Sequence, residues 1–185
     1  MLLLPQDHEN AEALEATRTG EAPASYVKRV VLAKLDAARA RLQRLGLPPA
    51  PVLSADTTVA LGGSLLGKPA DANEAAEMLA RLSGRTHRVL TAIAVGDARH
   101  TDWLVQVSRV SFARLRADEI SAYVASGDPF DKAGAYGIQG PAGAFVRKIE
   151  GSYSGIMGLP LHETARLVRK ALARHGSALP ADNPA

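Results

Sequence analysis

Asp56 follows Val52-Leu53-Ser54-Ala55, a short apolar segment of the kind that forms a buried strand. At the end of such a strand a sheet often delivers functional groups into a crevice. A carboxylate there can ligate a divalent metal or take a proton from water, or it can merely cap a turn. The next residues favour chemistry. Segments 57–61 and 64–67 flank Gly62-Gly63, a hairpin signal. Counting outward from that tip pairs Leu61 with Ser64, Thr58 with Gly67 and Thr57 with Lys68. The Lys68 ammonium therefore returns towards Asp56 and Thr57, a grouping suited to a metal-bound phosphate. As an exposed ion pair it would be worth only ~0–1 kcal/mol and would say nothing about function.

Two further features carry charge into unusual places. Lys34 shares a helix face with Val30 and Ala38, four residues to either side. Such a lysine either lies along neighbouring stems or has its ammonium held by an anion. The run 131–140, Asp131-Lys132-Ala133-Gly134-Ala135-Tyr136-Gly137-Ile138-Gln139-Gly140, is glycine-rich and lets backbone approach a ligand closely. Within it Gln139 can both donate and accept, which suits the edge of a base. The spacing is not that of a P-loop or a dinucleotide fingerprint. His87, His100, His162 and His175 form no metal-ligand pattern, and the nucleophile-elbow spacing of a serine hydrolase is missing. Cysteine is absent, which excludes disulfides, thiolate catalysis and thiolate metal sites.

These residues need elements to hold them. Residues 23–45 read as one long helix, with Pro23 in the first turn and Val27, Val31, Leu35, Ala38, Leu42 and Leu45 at helical spacing. Asp71 with Glu74 opens a second helix in capping-box fashion, and Ser83-Gly84 closes it. Residues 89–95, 103–112 and 145–149 read as strands, 119–125 as a short helix, 151–155 as a flexible turn, and 161–174 as a last helix ended by Gly176. The chain of 185 residues suits one domain over 1–176, with 177–185 a frayed tail. Helices alternating with strands predict an α/β domain with a mixed sheet. Hydrophobic content of 46% and charged content of 22% exclude wholesale disorder. A net charge of +3 rests on scattered basic residues, so no nucleic-acid partner is expected. No run approaches the roughly 18 apolar residues of a membrane span, and the opening MLLLP lacks the parts of a signal peptide, so the expected location is cytoplasmic.

Ser54-Ala55-Asp56-Thr57-Thr58-Val59, Leu66-Gly67-Lys68-Pro69, Leu82-Ser83-Gly84-Arg85-Thr86-His87, Glu119-Ile120 with Tyr123, and the run 131–140 together resemble the Maf family. So does the stretch 151–160, GSYSGIMGLP. The resemblance runs from about Glu9 to the last helix. It implies a nucleoside triphosphate pyrophosphatase, dependent on Mg²⁺ or Mn²⁺, with a curved mixed sheet, flanking helices and two lobes around a cleft. It also implies a homodimer. Residue by residue, Asp56 is similar to the family's proton acceptor. Thr57 and Gln139 are similar to the pair marking the branch that acts on dTTP and UTP, as opposed to 7-methyl-GTP. Lys34, Lys68 and Lys132 match lysines near the phosphates, Glu9 matches the acid that joins Asp56 at the metal, and Thr58 and Asp131 match without a derivable role.

One departure stands against the resemblance. The family opens with a strand, a Ser/Arg-rich loop of the form S-x-S-P-R-R and a helix, and this chain has no counterpart of them. The expectation is a weakly active, self-associating chain lacking the phosphate-gripping arginine, from a gene with an upstream start. The rival expectation is a non-catalytic nucleotide-binding regulator of septum formation.

Overall fold

The computed structural model describes residues 1–4 and 12–178. After a single 3₁₀ turn at Glu12–Glu15, α1 (Pro23–Arg44) leads into strands β1 (Val52–Leu61) and β2 (Ser64–Leu66). Helix α2 (Ala72–Leu82) precedes β3 (Thr86–Gly96) and β4 (Thr101–Phe112). Then come α3 (Ala117–Ala125), 3₁₀ turns at Ala133–Ala135 and Pro141–Phe145, β5 (Val146–Glu150), the one-turn α4 (Tyr153–Ile156) and α5 (Leu161–Ala178). The strands form one curved sheet in the order β2-β1-β3-β4-β5.

The period-2 alternation of β3 explains how this sheet is covered on both faces. Leu90, Ala92 and Ala94 point to α1, where Val27, Val30, Val31 and Leu35 are fully buried against them. The intervening side chains point the other way. Val89 joins α2 and α3, and Ile93 and Val95 meet Leu167 and Ala171 of α5. Between those two clusters on the second face sits Thr91, fully buried and polar. Asp71 caps α2 by accepting from the Glu74 amide, as the spacing predicts.

Several expectations change in detail. The α/β class holds, but every strand pairing is antiparallel, because β1–β2 and β3–β4 are hairpins and α2 returns the chain against β1. Residues 52–61 make one continuous strand, since the ladder to β3 runs unbroken from Val52↔Gly96 to Ala60↔Arg88. Asp56 therefore lies inside a strand, opposite Ala92, and not after one. Leu45 is the exposed C-cap of α1 and adds nothing to its stripe. Residues 153–156 are helical, because the Ser152 hydroxyl accepts from the Gly155 amide and starts a turn. Gly176 does not end the last helix: it has no positive φ, and α5 continues to Ala178.

Candidate active site

Strand β1 supplies the site from both of its faces, because β2 covers its outer edge only from Val59 to Leu61. Asp56 points to the α1 side. Its Oδ1 accepts a hydrogen bond from Lys34 Nζ at 2.6 Å, and the same ammonium donates to Glu15 Oε1 at 2.6 Å. Lys68, just past β2, stands 3.3 Å from Glu15 Oε2. The hairpin thus returns Lys68 to the acids, through Glu15. Lys34 on the apolar face of α1 is a lysine held by anions, two of them.

Burial and pairing act on the three groups differently. The Asp56 side chain is 8% exposed; that burial is the largest influence on its pKa and, with the Glu15 charge, raises it against the pull of Lys34 and Lys68. Glu15 is 29% exposed. Burial raises its pKa too, but Lys34 and Lys68 outweigh burial and leave it below the ordinary carboxylate range. For Lys34 burial favours the neutral amine, and the two carboxylates overcome it, so its pKa is raised. The lysine stays charged, and the two acids are shifted in opposite directions, Asp56 up and Glu15 down.

The cleft around this cluster has a volume of about 460 Å³, within the roughly 300–1,000 Å³ of small-molecule sites. Lys34, Asp56, Thr57, Lys68, Lys132 and Gln139 all line it, so six of the seven residues singled out in the sequence come together. The seventh, Glu9, lies outside the described residues. Glu15, which the sequence reading did not single out, also lines the cleft. Lys132 comes from the glycine-rich run and is held away from the acids: Nζ donates to the Asp128 carbonyl at 2.5 Å and lies 3.6 Å from Asp128 Oδ1. Tyr123 in turn donates to Asp128 Oδ2 at 2.5 Å. The backbone of that run is tight, with Asp131 and Ala135 at positive φ and Gly134 so close to Val59 that a Cβ would meet it at 3.0 Å.

Val59, Val89, Tyr136, Ile138 and Met157 give the cleft an apolar portion beside the charged one. Tyr136 is pinned there by a 2.7 Å hydrogen bond between its hydroxyl and His87 Nε2. Burial depresses the His87 pKa to about 4, so the ring is neutral at physiological pH. A larger hollow of about 900 Å³, between the C-terminal ends of α1 and α5, contains none of the residues singled out.

Glu15 and Asp56 can hold a divalent cation. Their oxygens already converge on one positive centre, the Lys34 ammonium. Two carboxylates are also the donor set Mg²⁺ takes when water and substrate phosphate complete its shell. Among the described residues no group of three or more His, Asp or Glu gathers for a metal.

The family described as "Maf-like protein" matches residues 3–171. A protein of Cupriavidus metallidurans named dTTP/UTP pyrophosphatase is 59% identical over 170 residues, covering 92% of this chain and 85% of that protein. A Polaromonas protein of the same name is 59% identical over 169 residues, 91% of this chain and 84% of its own. One from Burkholderia pseudomallei is 59% identical over 172 residues, 92% and 82% respectively.

Proposed function

The chain belongs to the Maf family, and from that premise we propose that it hydrolyses dTTP and UTP to the nucleoside monophosphate and pyrophosphate. The observation that carries this reading is the convergence of Asp56, Glu15, Lys34 and Lys68 on one wall of the cleft. An acid cluster already neutralised by lysines is matched to a ligand bringing its own cation and polyphosphate. The carboxylates then have the cation to meet and the lysines have the phosphates.

In that arrangement Asp56 accepts the proton of the water that attacks the α-phosphorus, and the α–β anhydride bond breaks. Its raised pKa makes it a better base than an ordinary aspartate. Lys34 and Lys68 offset the triphosphate charge that grows on the leaving pyrophosphate, and Lys132 adds a third cation from across the cleft. Asp56 and Glu15 would hold a Mg²⁺ or Mn²⁺ ion, which would supply Lewis-acid polarisation of the phosphate oxygens. Thr57 and Gln139 contact the nucleobase.

Release of pyrophosphate from dTTP and UTP by the purified chain tests the proposal, with chelator abolishing the release and Mg²⁺ or Mn²⁺ restoring it. Nucleotide binding without release would fit a non-catalytic regulator instead, and faster cleavage of 7-methyl-GTP would move the chain to the other branch. No helix among the described residues is long and apolar enough to cross a membrane. A cytoplasmic homodimer is the proposed working form. Its support is the exposure of Trp103 and Val107 on one face of β4, and light scattering of the purified chain checks it.

A further inference from the structure

Behind Thr57 lies a hydroxyl pair whose proton positions can be worked out from the heavy atoms. Thr57 Oγ1 and Thr91 Oγ1 are 2.8 Å apart, and Thr91 Oγ1 is 2.7 Å from the Gly155 carbonyl oxygen. A carbonyl only accepts, so Thr91 spends its single proton on Gly155; otherwise two lone pairs would face each other at 2.7 Å. The short contact between the hydroxyls then requires Thr57 to donate to Thr91. Thr91 is fully buried, so water cannot exchange these roles. Thr57 has no proton left, and its oxygen offers the cleft lone pairs only.

The Gly155 carbonyl is itself fixed. The Gly158 amide donates to it at 3.0 Å, and the Ser152 hydroxyl accepts from the Gly155 amide. The segment is tied to β4 by Ser108, whose hydroxyl accepts from the Ser152 amide at 2.9 Å. Gln106 Oε1 lies where a Cβ on Gly155 would meet it at 2.5 Å, so a larger residue there would push the Gln106 amide aside. At Gly158, φ is +107°, and a Cβ there would stand 3.7 Å from the Thr57 oxygen, so glycine keeps that oxygen's cleft side open.

We propose that Thr91, which reaches no ligand, is a positioning residue that locks the Thr57 hydroxyl as an acceptor and thereby selects nucleobases presenting a ring N–H. The imide N3–H of uracil and thymine meets that requirement. Cytosine presents a bare ring nitrogen at the same position, and an acceptor facing an acceptor is rejected. This rests on the pyrimidine reading above and explains how Thr57 would read the base.

The test compares UTP with CTP, which share size, sugar and phosphates, in the unmutated chain, Thr91→Val and Thr91→Ser. Valine keeps the shape but removes Thr57's acceptor, freeing its proton to face the cleft, while Gly155 retains the Gly158 amide. The expected result is a UTP:CTP ratio of kcat/KM that falls about 10-fold or more in Thr91→Val and is kept in Thr91→Ser. Calorimetric titration with UMP and CMP gives the same comparison without turnover. A Thr91→Val protein that retains the original ratio in both readouts would overturn the inference. A chain that binds UMP over CMP in a Thr91-dependent way yet releases no pyrophosphate from dTTP or UTP would sink the hydrolase reading and leave this one standing.

Discussion

Asp56 and Thr57 are neighbours in β1, yet the pleat turns them to opposite faces and into different kinds of surroundings. Asp56 meets α1 and a knot of four charges. Thr57 meets Thr91, which donates in turn to the Gly155 carbonyl, a neutral chain with no titrating group. The charged face can move protons and hold phosphate, but its geometry is set by ionic contacts that a ligand can replace. The neutral face is buried and has one arrangement of protons, so it can discriminate but cannot do acid–base work. In the proposed reading, one strand separates chemistry from recognition by a single residue step.

The sharpest way to break this division is Asp56→Asn. Turnover of dTTP should fall by about 10²–10⁴, the usual range for removing a general base. The preference for UMP over CMP in binding should be unchanged. If the substitution altered base preference as much as turnover, the two faces would not be separate in function.

Much of the charged face was legible in the sequence, because its signal is local. The Gly62-Gly63 tip sets the hairpin register that returns Lys68, and the placement of Lys34 on an apolar helix face left an anion partner as one of two readings, the one the structure bears out. Glu15 was not legible, since nothing in a single 3₁₀ turn says which of several nearby acids folds inward. The neutral face was hidden almost entirely. Thr91 reads as one more β-branched residue in an apolar strand, and its role depends on Gly155, which lies 64 positions away. Likewise the antiparallel direction of the sheet follows from how α2 returns the chain, which alternation of elements does not specify.

A smaller effect sharpens the charged side. Lys34 and Lys68 are held by acids of the site itself, whereas Lys132 is held by Asp128, which Tyr123 orients. Asp128→Asn keeps the carbonyl contact but removes the charge beside Lys132. KM for dTTP should rise about threefold to tenfold with kcat changed less, and Asp128→Glu should recover part of the loss. A drop in kcat at constant KM would put Asp128 in the chemistry and not in positioning.

The smallest expected effect distinguishes the two carboxylates that share Lys34. Asp56 has a folded-state pKa above its ordinary value, burial being the larger influence, so its ionised form costs stability at neutral pH. That cost fades as pH falls through the raised pKa towards the ordinary one. Glu15 is shifted down, because Lys34 and Lys68 together outweigh its burial. Its ionised form stabilises the fold above the ordinary glutamate pKa, and that contribution is lost as pH falls through the lowered value. Asp56→Asn should therefore raise the melting temperature at pH 7, and Glu15→Gln should lower it, each by roughly 2–4 °C, the shift an ordinary single contact makes in a chain of this length. Both differences should shrink as pH falls below the ordinary carboxylate range. Melting curves of the two variants across this range read the signs directly. If both substitutions destabilised at pH 7, ionic pairing would dominate at Asp56 as well, its pKa would be lowered, and the account of it as a better base than an ordinary aspartate would fail.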